Sequence, residues 1–237
     1  MKKPLRLLIH GASGRMGRAL LRLAAEDQRW RLVAAVSRSG APIDAVPVFA
    51  GNQLPQCPDF DVAIDFSLPE GFDALLALCR KRGAALVCGT TGLSEAQRAA
   101  LDAAGSDIPV LWASNFSLGV TVLEDLVRRA AEALASWEAD ITETHHVHKK
   151  DAPSGTALTL GRAVAASRGE LPPIVSLREG EVIGEHTVRL SGPGECIELS
   201  HRARDRDIFA RGALMAALAL AGRPAGNYRL ADLVFRR

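Results

Sequence analysis

The apolar run Leu5–His10 stops at Gly11-Ala12-Ser13-Gly14-Arg15-Met16-Gly17, and the chain resumes as the helix-forming Arg18-Ala19-Leu20-Leu21. Few folds place a strand, a glycine-rich turn and a helix start in so short a span. Glycines allow a tight turn, and the free N–H groups of the new helix favour a negative group such as a pyrophosphate. The spacing is G-x-x-G-x-x-G rather than the commoner G-x-G-x-x-G, so a plain tight turn stays open beside a dinucleotide cradle. Position on strand, turn and helix favours the cradle.

The rest of the first half supports an α/β reading. Short apolar runs at residues 32–36, 62–66, 84–88 and 110–113 alternate with Ala/Leu-rich helical stretches at 14–25, 69–82 and 94–104, the rhythm of a parallel sheet covered on both faces. After residue 117 the pattern changes. A helix over 118–135 precedes a strand over 140–148, then a helix at 155–166, strands at 185–190 and 195–200 around the turn Ser191-Gly192-Pro193-Gly194, and a last helix at 207–221.

Composition limits the function classes. The 237 residues are 48% hydrophobic and 24% charged, with a formal charge of only +2, which argues against a nucleic-acid or membrane-surface partner. There is no apolar run of about 18 residues, and Met1-Lys2-Lys3-Pro4 lacks a signal-peptide pattern, so a cytoplasmic protein is expected. Cys57, Cys79, Cys88 and Cys196 have neither CxxC nor knuckle spacing, which fits reduced thiols better than disulfides or structural zinc.

Where an adenosine ribose would meet the second strand, Val36-Ser37-Arg38-Ser39 offers a hydroxyl and a guanidinium in place of a carboxylate. Those groups suit a 2′-phosphate, so NADPH is expected to be preferred and NADH to be possible; a solvated surface arginine is the alternative. Gly89-Thr90-Thr91-Gly92 and Ser114-Asn115-Phe116-Ser117 follow later strand ends, where ligands of open parallel sheets bind.

The densest chemistry is Glu143-Thr144-His145-His146-Val147-His148-Lys149-Lys150-Asp151-Ala152-Pro153-Ser154-Gly155-Thr156, which holds three of the six histidines. On a strand, Glu143 and His145 share one face and His146 and His148 the other. His146 and His148 could ligate zinc, but no third ligand stands nearby and no metal is expected. Acid–base work and anion binding fit better. Lys149 and Lys150 add positive charge, and Ser154-Gly155-Thr156 opens a helix whose N–H groups suit a carboxylate or phosphate.

Together with Gly184-Glu185-His186-Thr187, these motifs resemble, in order and over nearly the whole chain, the 4-hydroxy-tetrahydrodipicolinate (dihydrodipicolinate) reductase family. The resemblance implies a Rossmann-type doubly wound domain from residues 1–116 and 206–237, and an inserted α+β substrate and oligomerisation domain over 117–205. It implies hydride reduction of a cyclic dicarboxylate in lysine/diaminopimelate biosynthesis by a homotetramer. By the same resemblance Gly11, Ala12, Ser13, Gly14, Arg15 and Met16 hold the pyrophosphate and Arg38 the adenosine-side phosphate. Gly89, Thr90, Thr91, Ser114, Asn115, Phe116 and Ser117 hold the nicotinamide end. His145 and Lys149 are the proton donors, while His146, Ser154, Gly155 and Thr156 bind substrate. Two departures stand out: Ser37 occupies a place that is acidic in many relatives, and the 168–183 region is short, which leaves the tetramer's geometry open.

Overall fold

Strand β1 (Leu5–His10) and helix α1 (Arg15–Ala25) flank the glycine turn as the sequence predicts. The computed structural model describes residues 3–43 and 46–235; positions 1–2 and 236–237 of the expected domain limits lie outside the described residues. β2 (Trp30–Ser37), β3 (Val48–Ala50), β4 (Val62–Asp65), β5 (Ala85–Cys88) and β6 (Pro109–Trp112) follow, and Gly226–Tyr228 near the far end of the chain is β11. All pair in parallel, in the order β11-β6-β5-β4-β1-β2-β3. The order reverses between β1 and β4, the switch point of a doubly wound sheet.

Local chemistry sets the helix limits. α2 (Pro69–Arg82) has proline in its first turn and ends on Gly83 at φ 62, a left-handed position that favours glycine. α3 (Glu95–Ala104) starts one residue after the expected Ser94, because Ser94 accepts the Gln97 amide as a cap. Phe72, Leu75, Leu86 and Ala63 are fully buried in one core, each large side chain contributing roughly 1.5–3 kcal/mol by leaving water.

The chain divides into two compact units, Met1–Phe116 with Phe209–Arg237, and Ser117–Ile208. The second contains α4 (Leu118–Ala133), β7 (Glu138–His145), α5 (Gly155–Arg168), β8 (Ile174–Arg178), β9 (Glu185–Gly192) and β10 (Glu195–Arg202). Its sheet order is β10-β9-β7-β8, with β7 and β8 parallel and the other pairs antiparallel. Ile141, Val188, Leu160, Val164, Leu123 and Val127 form its core against α4 and α5. α6 (Asp207–Leu220) and α7 (Leu230–Val234) complete the chain. A Cβ on Gly212 would run into the Phe116 carbonyl, so this glycine lets α6 approach that backbone.

Three expectations need correction. β7 ends at His145 rather than at residue 148, because the Val147 and Lys149 amides bond to the Gly180 and His146 carbonyls in a loop. His146 and His148 therefore do not share a strand face. The short 168–183 region contains β8, hidden in the sequence behind Pro172-Pro173. The antiparallel ladder runs through Gly192 and Glu195, confining the turn to Pro193-Gly194.

Candidate active site

In the first unit, backbone geometry requires glycine in the turn between β1 and α1. Gly11 has φ 80 and its Cβ would collide with the Phe66 carbonyl; a Cβ on Gly17 would strike Gly11 and Ala12. No side chain caps α1 at Gly14, so its first turn is open to an anion. Ala12 is buried, whereas Ser13, Gly14, Arg15 and Arg38 are exposed. Ser37 is buried and accepts the Gly40 amide at 3.2 Å, so it shapes the loop that presents Arg38.

The later loops are more constrained than their sequence suggests. Thr90 is buried and its hydroxyl donates to Asp65 at 2.9 Å, while its carbonyl accepts Trp112 Nε1 at 3.0 Å. Thr91 and Ser114 are exposed, Asn115 is half-buried, and Phe116 packs edge-on against Phe66 with centroids 5.4 Å apart. Ser117 belongs to the other unit and its hydroxyl accepts the Val120 amide as the cap of α4.

The second unit gathers its chemistry by sheet register. Alternation along β7 puts Ile141, Glu143 and His145 on the buried face, so the apolar core gives way to acid and imidazole at the strand end. Glu143 lies opposite Ser176 of β8 and His186 of β9, and His145 opposite Arg178. His145 Nδ1–H donates to Glu143 Oε2; Glu143 Oε1 accepts Arg178 at 3.1 Å and the Ser154 amide at 3.3 Å. Burial works against the Glu143 charge, but Ser176, His145 and Arg178 hold the carboxyl below its ordinary range. Burial lowers His145, with Glu143 pulling it up and Lys149 and Arg178 pushing it further down. The Gly184 backbone flanks the other nitrogen, since a Cβ there would stand 3.0 Å from His145 Nε2.

Around this pair, Lys149 Nζ donates to Asp151 at 2.8 Å, and Arg178 ties the carbonyls of Lys149 and Asp151 to β8. Ser154 caps α5, and a substituent on Gly155 would meet open space. Thr156 lies in the first turn of α5. His146 is half-buried; His148 is exposed, 3.9 Å from Glu181. Neither joins a three-ligand cluster among the described residues. Glu143, His145 and His186 do lie within ligand reach of one another, but the carboxylate is already engaged by four partners, which suits it to orienting an imidazole.

Glu143 and Arg178 were not singled out from the sequence for these roles. Alternation could have found the first; the second depends on a register between distant strands. His186, buried 5.1 Å from the His145 ring, is lowered to about 4, first by burial and then by His145. The unfolded chain, titrating near 6.5, binds a proton that the folded chain refuses. This contribution to stability is complete above pH 6.5 and is lost as pH falls toward 4, by at most about 3 kcal/mol. His186→Gln should flatten the fall in thermal midpoint between pH 7 and pH 5; an equal fall in parent and variant would contradict this.

Hydride chemistry needs a nucleotide held largely by backbone and a proton source held away from bulk water. The open glycine turn and the buried Glu143–His145 pair suit these two tasks; by class the chain is a pyridine-nucleotide-dependent oxidoreductase. Family models described as dihydrodipicolinate reductase, N-terminus and C-terminus, match residues 5–116 and 119–234. The 4-hydroxy-tetrahydrodipicolinate reductase of Stenotrophomonas maltophilia (strain K279a) is 63% identical over 98% of both chains. That of Xylella fastidiosa (strain 9a5c) is 57% identical over 97% of this chain and 98% of the relative. The dipicolinate-bound dihydrodipicolinate reductase from Paenisporosarcina sp. TG-14 shares the fold, with TM-score 0.83, 23% identity, and coverage of 95% and 97% of the two chains. The chain belongs to the dihydrodipicolinate reductase family.

Proposed function

We propose that this protein reduces 4-hydroxy-tetrahydrodipicolinate to tetrahydrodipicolinate, with release of water, in lysine/diaminopimelate biosynthesis. The observation that carries the mechanism is the buried Glu143–His145 pair beside Lys149 and the start of α5. Reduced nicotinamide, when bound, would supply the hydride for a ring carbon. Gly11 to Met16 would hold its pyrophosphate, and Gly89 to Thr91 and Ser114 to Ser117 its nicotinamide end. The Thr90 and Ser117 hydroxyls are engaged elsewhere, so those two residues serve through backbone and loop shape.

His145 delivers the proton from Nε2 while Glu143 holds Nδ1–H and stabilises the imidazolium. In the free protein burial first, and then Lys149 and Arg178, disfavour that cation; a dianionic substrate offsets the two cations and raises His145 as it binds. Lys149 exchanges Asp151 for a substrate carboxylate or the developing charge and can pass a proton. His146 and the Gly155 and Thr156 amides hold the second carboxylate, while Ser154, whose amide donates to Glu143 and whose hydroxyl caps α5, shapes that helix start; two anchors then fix which carbon receives hydride. The dipicolinate in the Paenisporosarcina relative supports a small dicarboxylate ligand. A coupled assay that generates the substrate enzymatically and follows NADPH absorbance tests this: oxidation must require substrate and be inhibited by pyridine-2,6-dicarboxylate. Turnover insensitive to that dicarboxylate would favour an amino-acid or sugar dehydrogenase reading; cofactor binding without turnover would favour a redox sensor.

NADPH is the preferred cofactor in this reading, with NADH also usable. Arg38 is exposed on the loop after β2, and a charge-assisted contact to a 2′-phosphate is worth about 1.5–3 kcal/mol. Arg38→Ala should therefore weaken NADPH roughly tenfold to hundredfold and NADH little, by fluorescence titration; equal losses would refute the contact. A homotetramer is proposed as well. Val175 and Leu177 project exposed from edge strand β8, a surface that pairing with another subunit would cover. The cysteines are all free, in keeping with the proposed cytoplasmic location, and no helix among the described residues is long and apolar enough to cross a membrane.

A further inference from the structure

Asp65, at the end of β4, has no task in the reaction as described, yet it is 0% exposed and fully engaged. One carboxylate oxygen accepts His10 Nδ1 at 2.9 Å and the Ser67 amide at 3.1 Å. The other accepts the Thr90 hydroxyl at 2.9 Å and lies 3.8 Å from Cys88 Sγ. Thr90 Oγ1 also accepts the Ser67 amide at 3.1 Å, and the Thr90 carbonyl accepts Trp112 Nε1 at 3.0 Å. Burial opposes the Asp65 charge, but His10, Ser67 and Thr90 outweigh it and hold the carboxyl below its ordinary range.

The knot therefore ties together the ends of β1, β4, β5 and β6 at the switch point. Its surroundings leave little room to relax: a Cβ on Gly71 would stand 2.8 Å from the His10 ring, and one on Gly89 would collide with the Phe66 ring. The strands are already joined by their backbone ladders. Backbone bonding runs one residue further, with the Phe66 and Gly89 amides donating to the His10 and Asp65 carbonyls, and Ser67 and Thr90 stand just beyond those bonds. A buried ionised carboxylate is tolerated only when it is hydrogen-bonded, and besides His10 the groups that hold Asp65 belong to the loops beyond those strand ends.

We infer that Asp65 is a positioning residue for the nicotinamide end of the cofactor, acting through Thr90 to fix the Gly89–Thr91 loop. This rests on the reading of that loop as a nicotinamide contact. It separates Asp65 from a residue of general structural value, which would support the adenosine end equally.

The test compares NADPH with adenosine 2′,5′-bisphosphate, which lacks the nicotinamide, in direct binding titrations. Asp65→Asn and Thr90→Val should each weaken NADPH roughly tenfold and leave the bisphosphate within about twofold of the parent. Thr90→Ser, which keeps the hydroxyl, should bind both like the parent. The double variant should bind NADPH no more weakly than Asp65→Asn alone, because the two residues share one interaction. Equal weakening of both ligands, or a Thr90→Val variant that binds NADPH like the parent, overturns the inference while leaving the cofactor reading intact. A parent that binds no NADPH overturns both. If Asp65→Asn does not fold, the Thr90→Val and Thr90→Ser pair decides the question with the same two ligands.

Discussion

His145→Ala should lower kcat by roughly 10²–10⁴-fold while leaving the NADPH dissociation constant within about twofold, because all the proposed cofactor residues but Ser117 stand in the unit that does not hold His145. The imidazole is buried, its Nδ1–H is committed to Glu143, and Gly184 leaves its Nε2 side uncrowded. Neither the neighbouring cation nor the neighbouring imidazole replaces it in the free protein. Lys149 is anchored by Asp151, and His186 is lowered to about 4 and so stays neutral at working pH. Lys149→Ala should also reduce turnover, with a larger rise in the dicarboxylate KM than His145→Ala because it removes a cation from the substrate. Steady-state kinetics with the coupled substrate supply separates the two. Parent-like turnover in both purified variants would overturn the assignment.

The second large effect concerns the glycine turn. Gly11→Ala introduces a side chain at φ 80, where its Cβ would collide with the Phe66 carbonyl. The left-handed strain alone costs about 1–3 kcal/mol, and relief of the collision must shift the turn or the end of β4. The expected outcome is a loss of NADPH affinity of at least about a hundredfold together with a lower thermal midpoint. Gly51→Ala is a fitting control, because nothing lies within 4 Å of the added atom. A Gly11→Ala protein with parent-like melting and NADPH affinity would contradict the cradle.

These two predictions draw on parts of the molecule that were unequally legible in the sequence. The glycine turn is a local device: strand, turn and helix start are contiguous, and β1 and α2 have the limits the sequence predicts because Pro69 and Gly83 punctuate the helix. β3 and β11, with three residues each, were not anticipated, since so short a run carries no usable period. The shared face of Glu143 and His145 follows from strand alternation. The partnership of Glu143 with Arg178 does not, because it depends on β8 pairing in parallel with β7 after an intervening helix. The same holds for Thr90 and Ser117. Their hydroxyls look available in the sequence, but Asp65 and the first turn of α4 claim them.

The pH dependence of kcat in Glu143→Gln tests the central claim, a carboxylate-held imidazole as the proton source, most directly. Glu143 raises the His145 pKa against burial, so removing its charge lowers that value further. A proton donor loses activity as pH rises through its pKa, so the high-pH decline in kcat should move to lower pH in the variant. A decline at the same pH in parent and variant, at whatever absolute rate, would contradict the account.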